Sequence, residues 1–141
     1  MTIFRRILVP IDFSPRSDAA WRIACDLAGA DTTLIALNVV TQLYPDVVYA
    51  NVRAALQEQR AANEARLAAM AVAPGSCAIE RRIRIGHPAQ EIIAAAQETA
   101  ADLIVVGVHG GRPRHHFLAD ATVTKVVRDA PCHVLVAKLP A

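Results

Sequence analysis

Five short apolar runs, separated by segments of helical character, limit this chain to very few architectures. The runs are RILVPI at 6–11, TLIALNVV at 33–40, AIERRIRI at 78–85, LIVVG at 103–107 and CHVLVAK at 132–138. Most are continuous Val, Ile and Leu bounded by turn-forming residues, the pattern of strands buried on both faces. AIERRIRI alternates less cleanly and still ends as a strand. Ser14-Pro15 pairs a capping hydroxyl with a proline that the first turn tolerates, and predicts a helix ending near Gly29. Its expected apolar face carries Trp21, Cys25 and Ala28, with Ile23 and Leu27 beside them. An alanine-rich segment from about Val47 to Ala73 predicts a second helix, stopped by Pro74-Gly75. Pro88 opens a third, PAQEIIAAAQETA, and TVTKVVRDA at 122–130 reads as a fourth before Pro131.

Strands alternating with helices predict an α/β fold of three layers, an open sheet of five mainly parallel strands with helices on both faces. The 141 residues suit one domain over 1–141, with no linker, low-complexity tract or short repeat to divide it. Hydrophobic residues make up 54% and aromatic ones only 4%, so the core is aliphatic, as strands sandwiched between helices require. A formal net charge of +2 makes neither nucleic acid nor an acidic membrane surface the default partner. Cys25, Cys77 and Cys132 are odd in number and widely spread, which argues against a disulfide framework and for a reducing cytoplasm. The opening run is cut by Pro10 and Asp12, so no signal peptide or membrane span is expected there.

In an open parallel sheet, ligands bind outside the carboxyl ends of the strands, where the strand order reverses. The positions to inspect are Asp12, the segment after Val40, Gly86 and the loop after Gly107. That last loop, GVHGGRPRHHFLADA, is glycine-rich and basic and leads into a helix, the layout of a phosphate-binding turn. An aspartate, Asp120, stands where such a turn would meet its anion.

The chain resembles the universal stress protein family over essentially its full length. The resemblance is carried by RILVPIDFSPRSDAAWRIACDLA, ALNVV, IRIGHPAQEIIAAA, ADLIVVGVHG and VVRDAPCHVLV, in that order and at the family's spacing. It implies a five-stranded parallel sheet of the adenine nucleotide α-hydrolase-like class and a homodimer formed through the last strand, Cys132 to Lys138. Some family members bind ATP and others do not. In those that do, an aspartate ending the first strand lies near the nucleotide and its metal, and Asp12 matches it. A valine at the end of the second strand contacts the adenine, and Val39 matches it. The phosphates are held by glycine, two residues, glycine, nine residues, then glycine followed by serine or threonine. Gly107 and Gly110 match the first two positions, and Asp120 and Ala121 replace the last two.

Asp120 reverses what the glycine would supply. A helix start attracts anions through unpaired N–H groups and its positive dipole end. A carboxylate there can cap those groups itself and repel a phosphate, at a cost of roughly 4 kcal/mol for unit charges about 4 Å apart. Ala121 offers no hydroxyl. Gly111, Arg112 and Arg114 are candidate anion contacts that would compensate, helped by His115 and His116 at low pH, although a polar surface loop is more often simply solvated.

Other candidates have ordinary explanations beside the functional ones. Asp12 can organise a metal or cap the turn into FSP, and Gly86-His87-Pro88 can approach a ligand or merely open a helix. His109, His115, His116 and His133, with Cys132, lack the i, i+4 spacing of helical metal ligands, so no metal site is expected. No Gly-x-Ser-x-Gly elbow, Gly-x-x-x-x-Gly-Lys-Ser/Thr loop or His-Glu-x-x-His helix occurs. The expectation is a non-catalytic, cytoplasmic, dimeric regulatory or protective binding module in which ATP binding is weakened or lost, with no required cofactor. The alternative is a switch or weak ATPase that binds ATP or another adenine nucleotide with Mg²⁺. The inducing stress and any regulatory protein partner are not specified by the sequence.

Overall fold

A computed structural model describes residues 2–42, 50–70, 77–109 and 120–139. The elements run β1 (Arg6–Pro10), α1 (Pro15–Leu27), β2 (Thr33–Thr41), α2 (Ala50–Ala68), β3 (Ala78–Gly86), α3 (Pro88–Glu98), β4 (Leu103–His109), α4 (Asp120–Asp129) and β5 (His133–Leu139). All strand pairs are parallel and the order is β3-β2-β1-β4-β5. The order reverses at β1, which pairs with β2 from Arg6↔Thr33 to Pro10↔Leu37 and with β4 through Ile7↔Leu103 and Leu8↔Ile104.

Alternation along each strand feeds two cores. Ile7, Val9, Leu34, Ala36, Leu103 and Val105 pack under α1 and α2. Leu8, Ile35, Leu37, Ile104 and Val106 pack under α3 and α4. Successive side chains point to opposite faces, and both faces are covered, so the strands read as continuous apolar runs. The expected three-layer α/β architecture is therefore the observed one.

Ser14 is the N-cap of α1: its hydroxyl accepts from the Ser17 amide, and Pro15 is the first helical residue. The buried stripe of α1 differs from the expected one. It runs through Ser17, Ala20, Trp21 and Ala24, whereas Leu27 is 40% exposed and Cys25 only half-buried. Small residues at 17, 20 and 24 let the helix lie close on β4, and Trp21 packs beside them in the same core, while Leu27 and Cys25 fall off that stripe.

The ends of three helices also shift. α2 stops at Ala68, ahead of the expected Pro74-Gly75, because Met70 tightens back onto the Leu67 carbonyl and Arg81 from β3 donates to the same oxygen at 2.9 Å. α3 ends at Glu98, where Ala100 turns into the left-handed region at φ 52° and Thr99 bonds back to Ala95. α4 begins at Asp120, two residues ahead of the expected start. The far end of the sheet is tied by Asp102, whose carboxylate accepts from the Arg5 and Arg6 amides at 2.8 and 3.1 Å.

Candidate functional site

A cleft of about 610 Å³ opens where β1 and β2 end beneath α2, and its described lining includes Asp12, Phe13, Asn38, Val39, Leu56 and Gln59. Two of the sequence-predicted residues, Asp12 and Val39, thus meet in one cavity at the carboxyl ends of neighbouring strands. Val39 is 3% exposed and supplies part of the apolar wall.

Asp12 stands two residues beyond the end of β1, after Ile11, and its surroundings hold it on three sides. Oδ1 accepts from the Ser14 amide at 3.0 Å and from the Ser14 hydroxyl. Oδ2 accepts no hydrogen bond among the described residues and lies 3.9 Å from the Arg16 guanidinium, with both side chains 4% exposed. Opposite unit charges at about 4 Å attract by roughly 4 kcal/mol at an effective dielectric near 20, so the aspartate is already electrostatically balanced by its own helix. The turn forces Phe13 to φ 61°, a region that costs a non-glycine residue of order 1–3 kcal/mol. Arg66 from α2 covers the resulting ring, its guanidinium carbon 4.0 Å from the centroid.

The Mg²⁺ that the resemblance implies does not fit this aspartate. Magnesium needs oxygen ligands with open lone pairs in near-ideal octahedral geometry. Ser14 occupies Oδ1, and a cation at Oδ2 would face the Arg16 charge. Among the described residues no group of three or more His, Cys, Asp or Glu side chains is placed to hold a metal ion.

Sequence reasoning missed a ladder of amides on the cleft floor. Asn38 donates to the Ile11 carbonyl at 2.7 Å, Asn63 donates to Asn38 Oδ1 at 2.8 Å, and Gln59 donates to Asn63 Oδ1 at 3.0 Å. Asn38 and Asn63 are 2% and 7% exposed, and Gln59 reaches the open cleft. The ladder satisfies buried polar groups and positions α2 over β2. Its signal was present: Asn38 is the single polar residue in LIALNVV, and Gln59 and Asn63 are four apart on α2.

Gly107 sits buried in β4, outside that cleft lining. A Cβ on it would lie 2.0 Å from the Arg16 carbonyl oxygen, so this glycine is demanded by the packing of α1 on β4. Asp120 and Ala121 are the first two residues of α4, and Ala121 is exposed. Gly110, Gly111, Arg112 and Arg114 lie outside the described residues, as do His115 and His116. His87 caps α3 without a side-chain hydrogen bond, ahead of Pro88, so the Gly86 turn is a helix opening. Cys132 packs half-buried against the α3/α4 core, while His133 is exposed. No helix among the described residues is long and apolar enough to cross a membrane.

The fold and sequence can be set beside known proteins. The universal stress protein UspA of Lactobacillus plantarum is 28% identical over 94% of this chain and 97% of its own, with a TM-score of 0.71. A universal stress protein solved in complex with cAMP is also 28% identical, over 96% of this chain and 97% of that one, with a TM-score of 0.62. A Staphylococcus haemolyticus relative bearing the universal stress protein name is 27% identical over 98% of this chain and 87% of its own. A universal stress protein of Methanocaldococcus jannaschii is 40% identical over 55 residues, where the match spans about a third of that protein, 32%. The model of the universal stress protein family matches residues 3–138. With the five-stranded parallel sheet shared by its structural relatives, the chain belongs to the universal stress protein family.

Proposed function

We propose that this chain is a cytoplasmic, non-catalytic universal stress protein, a regulatory or protective binding module whose affinity for Mg-ATP is weakened or lost. The observation that carries this reading is the start of α4 at Asp120, with Ala121 next to it. The helix end that would face a phosphate begins with a carboxylate-bearing residue and a methyl group. Nothing beside Asp12 supports group transfer: its described neighbours are a serine engaged in capping and an arginine, with no nucleophile paired to a base. A ligand-sized cleft nevertheless remains, and the cAMP complex of a 28% identical protein supports an adenine nucleotide as its occupant.

The chain acts as a homodimer through Cys132 to Lys138. Among the described residues β5 pairs only with β4, which leaves its other edge without a strand, and Val136 is 40% exposed. The other edge, β3, carries exposed Arg81 and Arg82, which discourage self-pairing.

Calorimetric titration of nucleotide-stripped protein with Mg-ATP tests the reading. Weak or absent binding is expected; submillimolar affinity refutes the claimed loss. The double change Asp120→Gly with Ala121→Ser is expected to tighten Mg-ATP, and no gain would show that the defect lies elsewhere. A second reading, a nucleotide switch or weak ATPase using Asp12, Val39, Gly107 and Gly110, is favoured by the meeting of Asp12 and Val39 in one cleft. Phosphate release above the buffer rate would select it.

A further inference from the structure

We infer that Gln59 is a specificity-determining residue of this cleft: its amide nitrogen is locked onto Asn63 and its carbonyl oxygen is left for the ligand, which selects a purine bearing an amino group over one bearing a ring carbonyl at the same position. The inference rests on the nucleotide reading of the cleft and adds the residue that tells one base from another.

The lock starts at the main chain. The Ile11 carbonyl can only accept, so Asn38 must present its NH₂ group there, and it does so at 2.7 Å. That turns Asn38 Oδ1 toward α2, where Asn63 Nδ2 donates to it at 2.8 Å. Asn63 Oδ1 is then the acceptor for Gln59 Nε2 at 3.0 Å. Turning over any one of these amides would set like groups face to face. Asn38 and Asn63 are 2% and 7% exposed, so bulk water cannot repair such a mismatch at either. The ladder is therefore directional, and its direction is set by a backbone group that no side-chain rotation reverses. Its outer end is at the cleft: Gln59 lines the cavity with Val39 and Leu56, and its Oε1 accepts no hydrogen bond among the described residues.

An unanchored glutamine can read either pattern of a purine edge, because its amide turns over at little cost. A 6-amino-purine offers a donor at position 6 beside a ring acceptor, whereas a 6-oxo-purine offers an acceptor at position 6. With the Gln59 oxygen fixed as the group that faces the ligand, the amino pattern is met and the ring carbonyl is set against another acceptor. The aliphatic walls at Val39, Val52 and Leu56 serve the face of either ring, so they do not discriminate. Ribose and phosphate are common to both nucleotides, and whatever holds them cancels from the comparison. The choice between the bases falls on the amide.

Calorimetric titration of the full chain, stripped of nucleotide, with AMP and with inosine monophosphate tests this. AMP is expected to bind about tenfold more tightly, the factor that one mispaired hydrogen bond produces. Gln59→Leu, at an exposed position of α2, is expected to bring the two affinities within about threefold of each other. A ladder that only seats α2 on the sheet would weaken both ligands equally, so an unchanged ratio in this variant overturns the inference. Asn63→Leu is expected to release the Gln59 amide and reduce the ratio in the same way while Gln59 itself remains. Should Asn63→Leu fail to fold, Gln59→Leu alone decides. Equal binding of the two nucleotides to the unaltered protein, or tighter binding of inosine monophosphate, overturns the inference and leaves the nucleotide reading standing. Failure of both to bind overturns the nucleotide reading, and the inference falls with it.

Discussion

At the scale of single residues, identity and role separate most clearly at the glycines. Gly107 matches the family's phosphate motif, yet its missing side chain is required by the Arg16 carbonyl 2.0 Å from where a Cβ would stand. Gly86 is crowded too, but by the Glu91 carboxylate, the movable end of a flexible side chain. Gly107→Ala should therefore cost about 1–3 kcal/mol, in the range of an overpacked core, and Gly86→Ala clearly less. Thermal unfolding of the two variants checks this; equal midpoints would mean that α1 can slide off β4 without penalty. Asp12, Val39 and Gly107 were legible in the sequence because their neighbours in the chain carry the family pattern. The amide ladder left only a trace there, a lone Asn38 in an apolar run, because Asn38, Asn63 and Gln59 become partners only when α2 lies over β2, 25 residues along the chain from Asn38 to Asn63.

At the scale of elements, the strands were easier to read than the helix ends. A strand buried on both faces is an uninterrupted apolar word, whereas a helix end is decided by whatever takes its last carbonyls. α2 shows this, since Arg81, a residue of another element, takes the Leu67 oxygen. The two sheet edges present a similar contrast. β3 bears charge along its edge, and β5 presents half-buried Val134 and Leu135 and exposed Val136. Sedimentation at micromolar concentration is expected to give a dimer, and Val136→Glu to shift it toward monomer. A monomeric unaltered protein at that concentration counts against pairing through β5.

At the scale of the whole molecule, the sheet divides the interior into two aliphatic cores, and each contains a half-buried thiol. Cys25 and Cys77 lie against the α1/α2 side and Cys132 against the α3/α4 side. Burial pushes the Cys25 and Cys132 thiols up from their ordinary pKa, with Cys77 and then Asp26 adding to the shift at Cys25 and Asp102 at Cys132. A raised pKa leaves less thiolate at neutral pH, so iodoacetamide should label both more slowly than it labels a small free thiol. If the two cores melt as one unit, both sites should become reactive at the same denaturant concentration. Separate transitions, read by peptide mass mapping, would show two layers of unequal stability. Position 16 joins this architecture to the cleft through two independent halves of one residue. Its main-chain carbonyl sets how closely α1 rests on β4, a demand that any residue in that backbone conformation meets. Its side chain faces the Asp12 carboxylate at 3.9 Å. Exchanging that side chain would therefore change the charge beside Asp12 while leaving the seat of α1 on β4 as it is.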